Sequence, residues 1–270
     1  MTVGDITYLD DPTDARLGDY AALTDPQLRK RYEGRRGVFI AEGPNVVRRL
    51  LTSRFPTKSV LLTDQREDEF GPEVPPGVKT YVVPRHLVYD LVQFKLHQGV
   101  IAVGERLPPA ALAEVLDDAR FVAVVEETND PENLGVLFRN AAGLGVDAIL
   151  VAPRCSDPLH RRTIRVSMGY VLHLAWAWIE DLPGSLDVLT DRGFLTVALT
   201  PADDAVSIDD VEVAPSDRVA VLLGAEGPGL TAPTMAAADI RATIPMRAGV
   251  DSLNVGNAAA IAFHVLGRAR

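Results

Sequence analysis

FVAVVEETNDPENLGVLFRNAA, Phe121 to Ala142, decides the fold class. FVAVVEE (Phe121–Glu127) opens as a continuous apolar run without the alternation of a half-wetted strand, which is the pattern of a strand buried on both faces of a parallel sheet. A helix start follows: Asn129 or Asp130 can cap it, with Pro131 at the first helical position. Strand, polar turn and helix in that order make half of a βαβ unit, and the turn is where α/β sheets present ligands. Capping accounts for Asn129 to Pro131 and leaves Asn133 and Arg139 unexplained inside an apolar helix. Their separation is too wide for neighbours on one helix face, yet both can lean toward the crevice at the helix start. Arg139 there either makes a structural ion pair or holds a phosphate or carboxylate.

Downstream, DAILVA (Asp147–Ala152), FLTVALT (Phe194–Thr200), RVAVLLG (Arg218–Gly224) and IRATIPM (Ile240–Met246) read as further strands separated by helix-like segments. The last helix is NVGNAAAIAFHVL (Asn254–Leu266). Alternating strands and helices predict an α/β fold with a mostly parallel sheet flanked by helices. Upstream, VFIAEG (Val38–Gly43), SVLLT (Ser59–Thr63), TYVV (Thr80–Val83) and GVIAV (Gly99–Val103) are strand-like. VVRRLL and HLVYDLVQF (His86–Phe94) have helical spacing, and PEVPPG (Pro72–Gly77) is a loop. The chain therefore divides into a smaller α/β domain over residues 1–106, a linker over 107–120 and a second domain over 121–270. Neither an internal repeat nor a low-complexity tract is evident.

Composition narrows the function classes. With 47% hydrophobic and 24% charged residues the balance is that of a soluble globular protein. No apolar run approaches the ~20 residues that cross a bilayer, and the acidic start MTVGDITYLDDPTDAR lacks the apolar core of a secretory signal. A cytoplasmic location is the expectation. Cys155 is the single cysteine, which excludes an internal disulfide and a cysteine-built zinc site; no metal is expected. A net charge of −10 argues against non-specific coating of nucleic acid but permits a local basic face. Two clusters qualify. Arg29, Lys30, Arg31, Arg35, Arg36, Arg48, Arg49 and Arg54 are opposed in their segment only by Glu33 and Glu42, and Arg154, Arg161, Arg162 and Arg165 only by Asp157. Each is either a solvated face or an RNA contact.

Two later segments also resist a packing explanation. LLGAEGPGL (Leu222–Leu230) crowds glycines after a strand, which means a tight backbone path and close approach to something. Its G-x-x-G-x-G spacing is not the dinucleotide fingerprint, and Glu226 stands among the glycines. IPMRAGVDSLNV (Ile244–Val255) ends a strand at Pro245, passes through Gly249 and reaches Ser252, which reads as the N-cap of the last helix. Asn254 then presents its amide beside that helix start, and the small residues Gly256, Ala258, Ala259 and Ala260 allow close packing against a neighbour or a second subunit.

Together these clusters resemble the SpoU, or TrmH-type, RNA ribose methyltransferases of the SPOUT superfamily. Asn129, Asn133, Gly135 and Arg139 match a first motif, N-x-x-x-N-x-G-x-x-x-R. Gly224, Glu226 and Gly229 match a second, and Ile244–Met246 with Ser252–Val255 match a third. The likeness spans Phe121 to Leu266. The chain departs from the family at Gly256 and Asn257, where a small or hydroxyl residue and an apolar one are usual, which bears on helix packing and dimer contacts. The amino-terminal part is similar to a substrate-binding domain that resembles a small RNA-binding ribosomal protein, carried by FIAEG (Phe39–Gly43) and HQGVIAV (His97–Val103).

The resemblance implies a trefoil-knotted carboxy-terminal domain, an exception to the rule that chains avoid knots. It also implies a homodimer and S-adenosylmethionine as cofactor, with Thr200, Gly224, Ile244, Met246 and Leu253 holding it. Arg139, Asn133, Glu226, Ser252 and Asn254 would form the catalytic set, and Arg29, Lys30, Arg31, Arg35, Arg36, Arg161, Arg162 and Arg165 would bind RNA. The implied reaction is methylation of a ribose 2′-hydroxyl, on ribosomal RNA in preference to transfer RNA. In this reading Arg139 grips the adjacent phosphate and stabilises the developing alkoxide, oriented by Glu226 and Asn254, because a guanidinium is a poor base. Three alternatives stay open: the same chemistry on transfer RNA, a non-catalytic RNA-binding or ribosome-assembly protein of this fold, and a nucleotide-dependent oxidoreductase.

Overall fold

The computed structural model describes residues 5–268 except 22, 25–35, 97, 216, 248 and 251. Its contacts divide the chain into two compact units: Met1–Pro108 with Leu159–His173, and Pro109–Pro158 with Leu174–Arg270.

The first unit is built on a five-stranded mixed sheet. Its strands are β1 (Ile6–Tyr8), β2 (Val38–Glu42), β3 (Thr57–Thr63), β4 (Lys79–Val83) and β5 (Val100–Glu105), in the order β1-β4-β3-β5-β2. β4 is parallel to β1 and β3, and β5 is antiparallel to β2 and β3. Strand β1 has no counterpart in the sequence reading, because three residues carry no period. Helices α1 (Pro44–Leu51) and α2 (Arg85–Val92) belong to this unit, and α2 stops at Gln93, which adopts a left-handed φ of 63°. Leu17, Tyr20, Ile40, Leu61, Leu91 and Ile101 pack in its core.

The second unit is a seven-stranded sheet in which every pairing is parallel. In chain order the strands are β6 (Phe121–Val125), β7 (Ala148–Val151), β8 (Ala175–Trp178), β9 (Phe194–Leu199), β10 (Val206–Ser207), β11 (Arg218–Leu223) and β12 (Ile240–Thr243). They lie in the order β10-β12-β9-β11-β6-β7-β8. All five residues of β6 are buried, as its unbroken apolar run requires. Each of its Phe and Val side chains contributes about 1.5–3 kcal/mol through burial. β8 and β10 add to the four strands read downstream of β6.

Helix α3 (Leu112–Leu116) lies within the expected linker, yet Leu116 is fully buried in the core of this unit, which takes in the linker from Pro109. α4 (Pro131–Gly143) starts with Asp130 as its cap, whose Oδ1 accepts from the Glu132 amide at 2.8 Å. α5 (Arg161–Val166) is the helix of the Leu159–His173 segment, which the sequence division places in the second domain and which packs with the first unit. Further helices of the second unit are α6 (Leu186–Asp191), α7 (Ala232–Ala237) and α8 (Val255–Gly267).

α8 packs on α4. An added Cβ on Gly256 would stand 2.5 Å from Val136 Cγ1, and Asn140 Nδ2 donates to the Gly256 carbonyl at 2.8 Å. Gly256 thus leaves room for the Val136 side chain of α4 against the start of α8. Phe121 and Phe263 meet edge to face, centroids 6.0 Å apart. Among the described residues no helix is long and apolar enough to cross a membrane.

Candidate active site

A cavity of about 390 Å³ lies beyond the carboxyl ends of β9, β11 and β12, which are adjacent in the sheet, and against the start of α8. Its size falls within the roughly 300–1,000 Å³ usual for small-molecule sites. Thr200, Gly224, Glu226, Ile244, Met246, Ser252, Leu253 and Asn254 all line it. Leu199, Leu223, Thr243 and Val255 line it as well. The sequence reading missed these four; each is a strand or helix end abutting a motif, and that adjacency was the available signal. β12 stops at Thr243, two residues short of the strand end expected at Pro245, and Ile244 and Met246 beyond it line the cavity.

The glycine-rich turn is held from both sides. At Gly224 a Cβ would lie 2.1 Å from Gly229 C and from Leu230 N, so only glycine permits the chain to double back there. Ala225 and Gly229 exchange two backbone hydrogen bonds, at 3.2 and 3.0 Å, which puts Glu226 at the tip of a closed turn. Behind the turn sits Glu126, only 5% exposed. Its Oε2 accepts the Thr231 amide at 2.8 Å, and its Oε1 accepts the hydroxyls of Thr231 at 3.0 Å and Thr234 at 2.8 Å. A buried carboxylate is tolerable only with such donors. Nothing in the sequence marked Glu126, because its partners lie more than a hundred positions away.

Asn254 is the hub of the polar groups. It caps α8, its Oδ1 accepting the Gly256 amide at 2.9 Å. Ser252, expected as that cap, lies two residues ahead of it in non-helical chain. Asn254 Nδ2 donates one hydrogen to Asn133 Oδ1 at 3.0 Å and the other to Glu226 Oε1. Three motifs distant in sequence are thus joined through one amide, and the three bonds fix which end of that amide is nitrogen.

Arg139 is not drawn into this chain. It lies on α4 with Asn133, but six residues turn the helix through about 240°, so the two side chains leave it in different directions. Arg139 is exposed, does not line the cavity, and has no hydrogen-bond or ion-pair partner among the described residues.

Of the basic positions, Arg29, Lys30, Arg31 and Arg35 lie outside the described residues, and Arg36 is exposed. Several others are engaged within the first unit. Arg48 pairs with Glu73 through two 2.6 Å contacts, and Arg49 stacks 4.1 Å over Tyr170 while donating to the Met168 carbonyl at 2.7 Å. Arg54 lies 5.0 Å over Phe55, and burial lowers its pKa. Arg161 lies 4.8 Å over Phe94 and 3.6 Å from Glu42. Arg162 and Arg165 are exposed on the same α5. Burial pushes the Cys155 thiol up to about 11, and it donates to the Val125 carbonyl at 3.3 Å. Among the described residues no group of three or more His, Cys, Asp or Glu side chains is arranged to hold a metal.

Residues 120–264 match the model of the SpoU rRNA Methylase family. An uncharacterised tRNA/rRNA methyltransferase of Mycobacterium bovis is 42% identical over 262 residues, covering 96% of this chain and 91% of its own. The 23S rRNA (guanosine(2553)-2′-O)-methyltransferase of Bacillus subtilis is 27% identical, covering 88% of this chain and 92% of its own. In fold, the crystal structure of an AdoMet-bound rRNA methyltransferase from Sinorhizobium meliloti is similar over 98% of both chains, with a TM-score of 0.82 at 23% identity.

Proposed function

Because this chain belongs to the SpoU rRNA methylase family, we propose that it transfers a methyl group from S-adenosylmethionine to a ribose 2′-hydroxyl of RNA, ribosomal in preference to transfer RNA. The observation that carries this is the hydrogen-bonded chain Asn133–Asn254–Glu226 at the cavity beyond β9, β11 and β12. A hydroxyl is a weak nucleophile, so a catalyst must position it and provide for its proton. The cofactor, when bound, supplies a methyl on positively charged sulfur, already activated for displacement.

The residues present suit that cofactor. Leu199, Leu223, Ile244, Met246 and Leu253 give the cavity apolar walls for an adenosine, and Thr200 adds a hydroxyl. At Gly224 the absent side chain lets the turn fold back on itself beside the cavity. Glu226 is the sole ionisable side chain among the described lining residues. Arg139, with no hydrogen-bond or ion-pair partner among the described residues, is available to grip the RNA phosphate and to stabilise charge on the reacting oxygen, a task for which its fixed planar donors suit it. Ser252 completes the rim.

The same reading extends to partners and architecture. RNA binding draws on the exposed Arg162 and Arg165, with Arg36 and Arg161 and with the basic residues from 29 to 35. A second copy of the chain completes a homodimer, supported by the exposed Ile261 on α8. A trefoil-knotted path through the β9 to β12 loops accords with a strand order in which β9 lies between β11 and β12. The preference for ribosomal RNA rests on the additional amino-terminal unit and on the 23S specificity of the Bacillus relative. The test is to supply radiolabelled S-adenosylmethionine with 23S RNA and with transfer RNA and to digest the product in alkali. The expected result is an alkali-resistant dinucleotide from 23S RNA. Label in transfer RNA alone moves the substrate, and label recovered on a base refutes the ribose assignment.

A further inference from the structure

We propose that Glu226 takes the proton of the ribose 2′-hydroxyl as that oxygen is methylated; this rests on the reading of the cavity as a ribose methyl-transfer site. The balance of the step requires a proton acceptor. The 2′-oxygen forms its bond to the methyl carbon while the carbon–sulfur bond breaks, sulfur keeps that electron pair as a neutral thioether, and the oxygen releases its hydrogen. A base must receive it. Arg139 is no candidate, since guanidinium carries its proton throughout and has no acceptor lone pair.

Elimination then works on the cavity wall. Among the described lining residues Thr200, Thr243 and Ser252 offer hydroxyls, Asn254 offers an amide, and the rest are apolar, glycine or proline, apart from Glu226. The geometry of Glu226 fits the task. Its Oε1 is held by Asn254 Nδ2, whose other hydrogen is anchored on Asn133, so the carboxylate is oriented. Its Oε2 accepts from no described residue, and the side chain is exposed, which leaves a lone pair for the incoming proton and a route to solvent. Glu126 shows what a structural carboxylate looks like in this protein. It stands just beyond β6, beside β11, and both its oxygens are engaged by three donors. One carboxylate is saturated and the other half open.

Glu226→Gln separates holding from proton transfer, because the glutamine Oε1 still accepts from Asn254 while the basic charge is gone. Cofactor affinity by calorimetry should stay within about threefold of the parent, and single-turnover methyl transfer should fall ~10²- to 10⁴-fold. A second readout needs no methyl transfer. In a 23S RNA fragment carrying a 2′-amino group at the nucleotide mapped for the parent enzyme, a protonated amine faces the Glu226 carboxylate. The parent should bind this fragment more tightly than the hydroxyl form wherever the amine is protonated, and Glu226→Gln should lose the preference. Methyl transfer by Glu226→Gln within about tenfold of the parent rate, or an amine preference surviving in that variant, overturns the proposal. A parent enzyme that binds S-adenosylmethionine and leaves no 2′-O-methyl on RNA overturns the underlying reading instead.

Discussion

The two compact units use their charged groups in opposite ways. In the first, Arg48, Arg49, Arg54 and Arg161 look from the sequence like a basic face, and folding engages each of them with a carboxylate, a carbonyl or an aromatic ring. In the second, Glu226, Ser252 and Asn254 line a cavity, and Glu226, together with Arg139 away from the cavity wall, keeps bonding capacity open among the described residues. A count of like charges along a segment is blind to the partners that tertiary contact brings. Motifs that sit at or just past three different strand-to-helix junctions are less exposed to that error, because a parallel sheet gathers those junctions at one end.

Substitutions can break or sharpen this contrast. The largest effect belongs to Gly224→Ala, whose new methyl would meet backbone atoms at 2.1 Å. We expect about 3 kcal/mol of strain and, by calorimetry, loss of measurable S-adenosylmethionine binding; retained binding would mean that the turn is not part of the cofactor site. Next is Arg139→Lys, which keeps charge but not the planar fork. Methyl transfer should drop ~10²-fold with thermal stability unchanged, since one electrostatic donor is commonly worth that much. An unchanged rate removes Arg139 from the open group.

On the engaged side, Arg49→Ala should cost about 1–2 kcal/mol in denaturant unfolding, from a lost hydrogen bond and a lost ring contact. No stability change would place Arg49 with the open residues. Arg165→Ala should leave unfolding untouched and reduce the salt slope of RNA binding by about 0.7–0.9, the signature of one phosphate contact. The smallest effect is that of Cys155. Its folded-state pKa of about 11 is above the ordinary thiol value. The unfolded chain therefore loses that proton first as pH rises, and the native state is increasingly disfavoured from pH ~9 upward. A Cys155→Ala variant should lack this alkaline loss in urea titrations followed against pH.

Much of the second unit was legible. β6, β7, β9 and β11 are apolar runs bounded by turn residues, and buried parallel strands leave that trace. The motif residues were legible because chemistry fixes their type and spacing. What escaped had physical reasons. β1 and β10 are too short for a period. α3 was read as linker because the proline pair ahead of it signals a break and hides the burial of Leu116. Ser252 satisfies the same capping rule as Asn254, and only the folded chain shows that the helix begins two residues later. Glu126 has partners too distant in sequence for any local rule to pair them.

The chain passes between the two units three times, at residues 108–109, 158–159 and 173–174. Modularity in this protein is therefore not a matter of one cut. Expression of a fragment beginning at residue 109 keeps every strand of the parallel sheet but also keeps Leu159–His173, deprived of Glu42, Phe94 and Arg49. Such a truncation product carries a helical segment stripped of its packing partners, and we expect it to self-associate. Grafting the amino-terminal unit onto a different methyltransferase calls for transplanting this insert along with it.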